Sequence, residues 1–216
     1  MVISTVVFDL DGTLVDSDAS LVQAMNAARG QLGLSALEDA VIRSHIGWGV
    51  ASFVTRCIPE AAEASLALRT YREEYCRVLD GQQTPPCHGA AACLEALTKG
   101  PWRVGLATNK LERFARLILE QHGWHRFFER IVGGDTIGVM KPDPAVLRHF
   151  ESLMPVTHAE ALLLVGDSDV DEQTAAAYGC RFARVPSERF TTSPGPDTIV
   201  LRSLAELPAI LQGQKP

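Results

Sequence analysis

The sequence has little positive charge, no clustered run of lysine and arginine, and no long hydrophobic run. Its 20 basic residues stand against 26 acidic ones, which gives a formal net charge of −6. A chain of this sign repels the phosphates of nucleic acids and of anionic lipids. No apolar stretch approaches the roughly 18 to 20 residues that cross a bilayer, and residues 1–5 lack the basic start of a secretory signal. We therefore expect a cytoplasmic protein that binds no nucleic acid and no membrane.

Paired cysteines are missing as well. The five cysteines are odd in number, lie far apart and form no C-x-x-C motif. This arrangement argues against a disulfide framework and against a zinc site. Free thiols, buried like other small apolar side chains, are the expected state. The residues concerned are Cys57, Cys76, Cys87, Cys93 and Cys180.

What the sequence does contain is an alternation of short apolar runs with helical patterns. An unbroken apolar run is typical of a strand buried on both faces, and strands that alternate with helices form parallel sheets. The sequence therefore predicts an α/β fold with a central parallel sheet that helices cover on both faces. The predicted strands are TVVFDL at Thr5–Leu10, Trp102–Thr108, Arg130–Asp135, Ala161–Ser168, Arg181–Val185 and TIVL at Thr198–Leu201.

One segment breaks this alternation. Between Asp18 and about Thr84 the sequence has helical patterns such as SLVQAMNAARGQLGL and no convincing strand. The stretch GQQTPPCHG at residues 81–89, with its two prolines, is typical of a turn that returns to the core. We predict a helical cap over residues 18–83, inserted after the first strand, and a core formed by residues 1–17 and 84–216.

Three predicted strands end in side chains suited to catalysis. Asp9 and Asp11 follow the first strand, Thr108 and Asn109 follow the second, and Asp167 ends a later one. Ligands of parallel sheets bind at these carboxyl ends, and a carboxylate buried there without a partner is costly. The two acids of the first strand either clamp a cation or act directly, one as a nucleophile and the other as a proton carrier.

Phosphoryl transfer fits this arrangement. Asp9 would attack a phosphoryl group to form an aspartyl-phosphate, and Asp11 would protonate the leaving alkoxide and later activate water. Because Asp9 and a phosphate repel each other, a cation must bridge them, and Mg²⁺ binds one or two carboxylates together with a phosphate oxygen. The stretch GDSDVD supplies candidate ligands in Asp167, Asp169 and Asp171, of which Asp167 is preferred.

Further groups can neutralise the phosphate. Thr108 and Asn109 offer a hydroxyl, an amide and backbone N–H donors, and Lys141 in GVMKPDPAVL offers a point charge. Asp143 can cap the helix that Pro144 begins, which places Lys141 just before a helix N-terminus, a region that binds anions. Each feature alone also has a structural explanation as a turn, a solvated loop or a helix cap. Their common place at strand ends, in this order, indicates one site.

The four motifs resemble the signatures of the haloacid dehalogenase superfamily of phosphatases. They are DLDGT at Asp9–Thr13, ATN at Ala107–Asn109, KP at Lys141 and Pro142, and GDSDVD at Gly166–Asp171. The resemblance covers nearly the whole chain. It implies a Rossmann-like three-layer core, a small helical cap after the first strand, Mg²⁺ as the cofactor and a phosphoenzyme on Asp9.

The resemblance also implies roles for individual residues. Catalysis falls to Asp9, Asp11, Thr108 and Lys141, and phosphate binding to Thr108, Asn109 and Lys141. The implied metal ligands are Asp9, the backbone carbonyl of Asp11 and Asp167, with Asp171 helping to hold the metal through water.

Within the superfamily, GLATNK, IVGGDTIGVMKPDP and VGDSDVD are most similar to the phosphoglycolate phosphatase group. The cap segment SHIGWGVASFV resembles that group's Gly-x-Gly segment, so Gly47 and Trp48 are candidate substrate contacts; Trp48 could instead fill the core of the cap. The chain departs from the group at Val170, where Asn is frequent, and at residues 87–89, where Cys-His-Gly replaces the usual Pro-Gly. A small phosphorylated metabolite is the expected substrate, and the expected assembly is a monomer or homodimer.

Three alternatives fit parts of this pattern. A haloacid dehalogenase uses the same nucleophile without Mg²⁺ but lacks the second aspartate, so Asp11 argues against it. A β-phosphoglucomutase-like phosphotransferase shares the core and cap, but it carries a histidine and an arginine where this chain has Leu21 and Val50. A non-catalytic, receiver-like module would bind metal without turnover, which Asp11 together with Lys141 argues against. His45 and His88 are interpreted as structural.

Overall fold

A six-stranded sheet lies at the centre of the computed structural model, which describes residues 2–154, 156 and 158–213. The strands are β1 (Thr5–Phe8), β2 (Arg103–Ala107), β3 (Arg130–Val132), β4 (Leu162–Ser168), β5 (Arg181–Arg189) and β6 (Ile199–Val200). Their order is β3-β2-β1-β4-β5-β6, and every neighbouring pair is parallel. Each strand starts within an apolar run predicted from the sequence, so the predicted parallel sheet is confirmed.

Helices cover both faces of this sheet. In the described residues they are α1 (Asp18–Gln31), α2 (Asp39–Arg43), α3 (Val50–Cys57), α4 (Ala64–Gly81), α5 (Ala90–Thr98), α6 (Glu112–Gln121), α7 (Ala145–Leu153), α8 (Asp169–Tyr178) and α9 (Leu207–Gln212). Single 3₁₀ turns lie at His125–Phe127, Ala159–Ala161 and Leu204–Glu206. None of the described helices combines the length and the hydrophobicity needed to cross a bilayer.

The three-layer arrangement follows from the alternation of side chains along each strand. Val6 and Phe8 of β1 belong to one apolar cluster, which includes residues of α5, α6 and α9. Val7 points to the opposite face and joins a second cluster, which α7 and α8 complete. Because successive side chains of a strand point to opposite faces, an unbroken apolar run fills both cores at once.

Strand β5 is longer than the sequence predicts. The predicted strand ends at Val185, and the next residue is Pro186, which cannot donate a ladder hydrogen bond. In the structure β5 continues to Arg189, which pairs with Ser168 of β4 after a register shift. Strand β6 pairs with β5 at Ala183 and Arg184, so Pro186 lies beyond it. The extension carries Arg189 back to the end of β4.

The helical insertion, α1 to α4, follows β1 without an intervening strand, as predicted. A row of aromatic rings connects it to the rest of the fold. Phe53 of α3 lies edge-on to Tyr71 at 5.5 Å between ring centroids, Tyr71 stacks on Tyr75 at 5.9 Å, and Tyr75 meets Phe114 of α6 edge-on at 5.0 Å. Edge-on and offset arrangements are the favourable ones for aromatic pairs. The insertion therefore rests on α6 through a buried aromatic contact.

The two ends of the insertion are joined to each other by backbone hydrogen bonds. The Asp16 N–H donates to the Pro85 carbonyl at 2.8 Å, and the Cys87 N–H donates to the Leu14 carbonyl at 2.9 Å. Val15 and Pro86 form an antiparallel bridge between them. We call these paired segments, residues 14–16 and 85–87, the stem. The chain thus leaves the core and returns to it at a single point.

All five cysteines are free thiols, as predicted. Cys57 and Cys93 are buried, whereas Cys76, Cys87 and Cys180 are half-buried. Burial raises the pKa of Cys57 to about 11, although Arg29 lowers it. Because the thiolate is the reactive form, such a cysteine behaves as an inert packing residue.

Candidate active site

The candidate site lies where the order of the sheet changes direction. Strand β1 pairs with β2 on one side and with β4 on the other, so the connections from β1 and from β4 diverge. In open parallel sheets such a switch point leaves a crevice outside the carboxyl ends of the strands. Asp9 and Asp11 follow β1 directly, and Asp167 lies near the end of β4.

Three carboxylates meet in this crevice. Asp9, Asp167 and Asp171 each offer an oxygen that lies within 4.8 Å of the others, and all three residues are buried. Burial raises the pKa of Asp9 to about 6, although Lys141 lowers it, and burial raises the pKa of Asp167 to about 8 against the opposing effect of Arg189. Like charges in a site that water cannot reach destabilise one another. The cluster therefore favours a positively charged occupant.

Lys141 lies between two of these acids. Its Nζ is 2.8 Å from Asp9 Oδ1 and 2.5 Å from Asp171 Oδ1. The Ser168 hydroxyl donates to the second Asp171 oxygen at 2.6 Å. Burial lowers the pKa of Lys141, but attraction to Asp171 and Asp9 outweighs it and holds the pKa above its usual value. Lys141 is thus a fixed positive charge beside Asp9, and both Asp171 oxygens have partners.

Two glycines make this close approach possible. A Cβ on Gly12, whose φ is +82°, would lie 2.1 Å from Asp167 Oδ2. A Cβ on Gly166 would lie 2.4 Å from the Asp171 Cβ. Side chains at either position would push the carboxylates apart, so Gly12 lets the segment after β1 approach Asp167 and Gly166 lets the first turn of α8 approach β4.

Asp11 is held by Lys110, a residue to which none of the sequence motifs assigns a role. Lys110 Nζ donates to Asp11 Oδ2 at 2.8 Å and lies 4.7 Å from the centroid of the Tyr75 ring. The other oxygen, Asp11 Oδ1, is buried and has no hydrogen-bond partner among the described residues. Lys110 follows the predicted strand-end pair directly, and that position is the only signal that could have found it. Asp11 therefore keeps one acceptor available beside Asp9.

Asn109 joins three segments with one carboxamide. Its Nδ2 donates to the carbonyls of Gly47 and Lys141, both at 2.9 Å, and its Oδ1 accepts from the Lys141 N–H at 2.9 Å. The amide thus positions Lys141 and ties the loop before α3 to the core. Its buried neighbour Thr108 accepts the Lys110 N–H with its hydroxyl at 3.2 Å.

The helix that follows Lys141 begins nearly where predicted. The Asp143 carboxylate accepts the Ala145 N–H at 2.8 Å, and α7 starts at Ala145 rather than Pro144. Asp169, the middle acid of GDSDVD, lies apart from the carboxylate cluster. Its carboxylate accepts the N–H and the hydroxyl of Thr191. Only Asp167 and Asp171 of this motif therefore face Asp9.

Arg189 reaches the cluster from the unpredicted end of β5. Its Nη1 donates to Asp167 Oδ2 and its Nη2 to Asp18 Oδ1. The Ser187 hydroxyl is 3.4 Å from the same Asp167 oxygen. No motif in the sequence indicates Arg189, since its position depends on the continuation of β5 past Pro186.

A cavity with an empty volume of about 700 Å³ opens above these groups. Its floor is formed by the polar residues of the strand ends, and its walls include Leu21, Val50 and Phe53 from the helical insertion. Gly47 lines the cavity as well. Trp48 does not line it and is 41% exposed. The Gly-x-Gly segment therefore faces the cavity through its glycines, and the tryptophan contact with substrate gains no support.

Comparisons with known proteins agree with this geometry. The model of the haloacid dehalogenase-like hydrolases matches residues 6–185. A phosphoglycolate phosphatase of Cereibacter sphaeroides (strain ATCC 17029 / ATH 2.4.9) is 39% identical over 184 residues, which are 82% of this chain and 83% of the relative. A phosphoglycolate phosphatase of Chromobacterium violaceum is 37% identical over 214 residues, 95% of both chains.

Solved structures show the same fold. A predicted phosphoglycolate phosphatase from Haemophilus somnus 129pt superposes with a TM-score of 0.88 at 24% identity, covering 96% of this chain and 97% of that one. CbbY from Rhodobacter sphaeroides, in complex with phosphate, gives a TM-score of 0.81 at 20% identity, over 95% and 96% of the two chains. The chain belongs to the haloacid dehalogenase-like hydrolase family. Within that family it is a phosphatase, similar to the relatives that carry the name phosphoglycolate phosphatase.

The buried pair of Lys110 and Asp11 makes a stability prediction. Replacing Lys110→Met leaves the Asp11 carboxylate buried without its cation, and breaking a buried pair in this way costs about 3 to 5 kcal/mol. The double variant Lys110→Met/Asp11→Asn removes both charges and should recover most of that loss. The free energy of unfolding from urea titrations checks this, and a double variant no more stable than Lys110→Met would contradict it.

Proposed function

We propose that the protein is a Mg²⁺-dependent phosphomonoesterase that hydrolyses a small phosphorylated metabolite, with phosphoglycolate as the first candidate, through an aspartyl-phosphate on Asp9. The observation that carries this proposal is the buried cluster of Asp9, Asp167 and Asp171 with Lys141 at the floor of the cavity. The relatives named phosphoglycolate phosphatase support the choice of substrate.

The donor set fits a hard divalent cation. Mg²⁺ prefers carboxylate and carbonyl oxygens and keeps several waters, and the cluster offers oxygens within 4.8 Å of one another at the floor of the cavity. Asp9, Asp167 and the backbone carbonyl of Asp11 would hold the ion. Asp171, whose oxygens accept from Lys141 and Ser168, would act through water. The ion supplies the positive charge that lets a phosphate approach Asp9.

The residues of the floor divide the reaction between them. An Asp9 oxygen attacks phosphorus, the bond from phosphorus to the ester oxygen breaks, and Asp11 gives its proton to the departing oxygen. In the second step Asp11 takes a proton from water, which attacks the aspartyl-phosphate and releases inorganic phosphate. Lys141 and the Thr108 hydroxyl bind phosphate oxygens and neutralise charge that develops in transfer.

The helical insertion acts as a cap in this proposal, over residues 18–83. Its apolar walls exclude water from the phosphoryl group and restrict entry to small esters. Leu21 and Val50 both line the cavity, and neither can serve the acid–base and phosphate contacts that a mutase requires of those positions. This favours hydrolysis over the β-phosphoglucomutase-like alternative. A cytoplasmic location and a monomeric or homodimeric state remain predictions.

Asp9→Asn should abolish turnover and leave the fold intact, because the change keeps the shape and removes the nucleophilic charge. Phosphate release from phosphoglycolate in the presence of Mg²⁺ measures it, with the substitution verified by mass. Asp169→Asn is the matched control, since it removes the same charge from an acid of the GDSDVD motif that lies outside the cluster and contacts Thr191. Full activity in Asp9→Asn would exclude the phosphoenzyme.

Asp11→Asn should slow the first step of the reaction more for an alkyl phosphate than for a nitrophenyl phosphate. A nitrophenolate leaves readily without a proton, whereas an alkoxide does not. Single-turnover measurements on both esters separate this step from water attack. Equal losses on the two esters would remove Asp11 from the role of general acid.

The proposal as a whole is tested by a screen of phosphorylated metabolites with Mg²⁺, with released phosphate as the readout. Activity should need the metal, disappear with a chelator and fall steeply in Asp167→Ala but not in Asp169→Ala. Small esters should be hydrolysed, phosphoglycolate first, and a folded phosphoprotein ignored. Rapid turnover without metal, or a phosphoprotein as the sole substrate, would overturn the proposal. Saturable Mg²⁺ binding with no turnover of any ester would favour the receiver-like alternative.

A further inference from the structure

Arg189 contacts two carboxylates that belong to different parts of the fold. Asp167 is a member of the buried cluster at the end of β4, and Asp18 is the first residue of α1 in the helical insertion. The two contacts use different nitrogens of one guanidinium. The Arg189 side chain is only 20% exposed, so water competes weakly for either bond. The planar guanidinium presents several N–H donors in a fixed fork, so one side chain can hold two anions through separate nitrogens.

The charges around the cavity floor show why a cation stands at Asp167. Asp9, Asp11, Asp167 and Asp171 face two lysines, Lys110 and Lys141, which are bound to Asp11 and to the pair of Asp9 and Asp171. Asp167 is thus the one member of this group whose charge neither lysine contacts. Arg189 supplies the missing positive charge through its ion pair with Asp167. The same guanidinium forms a second ion pair with Asp18.

We propose that Arg189 is an internal counter-cation, which neutralises Asp167 while the metal site is empty and shifts its contact to Asp18 when a divalent cation binds. The inference rests on the metal site proposed above. It assigns Arg189 a positioning role between the metal site and the first turn of the insertion, without contact to the substrate.

The physical basis is competition between two cations for one carboxylate. An arginine and a divalent ion on the same Asp167 side chain repel each other in a site with little water, where such interactions reach kcal/mol size. Burial lowers the pKa of Arg189, but Asp167 and Asp18 together hold it above its usual value, so the group stays charged. Since Arg189 cannot lose its proton, it yields to a metal by moving. Asp18 offers the nearest anion outside the cluster.

The proposal predicts that Arg189→Gln and Asp18→Asn change the affinity for Mg²⁺ in opposite directions. Arg189→Gln removes the competing cation, so the protein should bind Mg²⁺ tighter by on the order of tenfold. The metal-free protein should then melt at a lower temperature, because Asp167 loses its partner. Asp18→Asn removes the anion that receives Arg189, so Arg189 stays on Asp167 and Mg²⁺ should bind more weakly. By linkage the metal and the Asp167–Arg189 contact weaken each other equally.

The test is calorimetric titration of Mg²⁺ into the full-length chain, together with melting temperatures with and without the metal. Arg103→Gln controls for loss of a positive charge, because Arg103 pairs with Glu129 at the start of β2, at the amino ends of the strands and away from the site. Asp16→Asn controls for loss of a negative charge, because Asp16 is exposed and lies two residues from Asp18. Neither control should match the effect of its partner variant.

Two further variants complete the design. In Arg189→Gln/Asp18→Asn, the loss of Asp18 should weaken Mg²⁺ binding no more than Asp16→Asn does. Arg189→Lys keeps the positive charge but loses the fork that contacts Asp167 and Asp18 through separate nitrogens. Its hold on Asp167 should be weaker, so its Mg²⁺ affinity should fall between those of the wild type and Arg189→Gln. Arg189→Lys also tests the competition for Asp167 if Arg189→Gln does not fold.

The outcomes separate this inference from the proposed function. Unchanged or weaker Mg²⁺ binding in both Arg189→Gln and Arg189→Lys, with normal binding by the wild type, overturns the counter-cation alone. Equal effects of Asp18→Asn and Asp16→Asn overturn the release to Asp18. Absence of saturable Mg²⁺ binding by the wild-type chain overturns the metal site, and this inference with it.

Discussion

The burial of several carboxylates at the ends of two adjacent parallel strands is the constraint on which the rest of this structure depends. Asp9 and Asp167 stand on neighbouring strands, and the spacing of a sheet leaves them no room to separate. Their charge must be met locally, because burial leaves them little contact with water. Lys141 lies at the centre of the response, with contacts to Asp9 and Asp171. Lys110 and Arg189 complete it from two other segments of the chain.

The site divides between a polar floor and an apolar roof, which come from different parts of the chain. The floor is made by residues at strand ends, whose backbone is fixed by ladder hydrogen bonds on both sides. The roof is made by helices whose side chains pack through the aromatic row from Phe53 to Phe114. Fixed geometry favours phosphoryl transfer, since this reaction depends on positioning and charge. The roof can vary in shape without moving the reacting groups.

The sequence predicted the sheet and the helical insertion because both depend on local patterns. Unbroken apolar runs such as LLLV in β4 admit few other structures, and the strand-end acids follow those runs directly. It did not predict the partners of these acids. Lys110 pairs with a residue 99 positions away, and no local pattern encodes such a contact. Arg189 was missed because the predicted strand ended at Val185. A proline is tolerated in a strand where no neighbouring strand needs its N–H, and β6 pairs with β5 only at Ala183 and Arg184, before Pro186.

Asn109 shows a different limit of sequence reasoning. Its amide was expected to face a phosphate, and the structure uses both of its N–H groups to hold the carbonyls of Gly47 and Lys141. A single residue type thus serves two purposes that the motif alone does not distinguish. Trp48 shows a related limit. The sequence pattern indicates the large aromatic side chain as a substrate contact, whereas in the structure the two flanking glycines line the cavity and Trp48 does not.

The stem has a consequence for how such an enzyme can change over generations. Because residues 14–16 and 85–87 are hydrogen-bonded to each other, the core closes on itself regardless of what lies between them. Lengthening or replacing the intervening helices alters a loop whose closure entropy grows only slowly with its length. Substrates with new leaving groups can therefore be accommodated by replacing the helical insertion. The register of the sheet and the residues at the strand ends then stay the same.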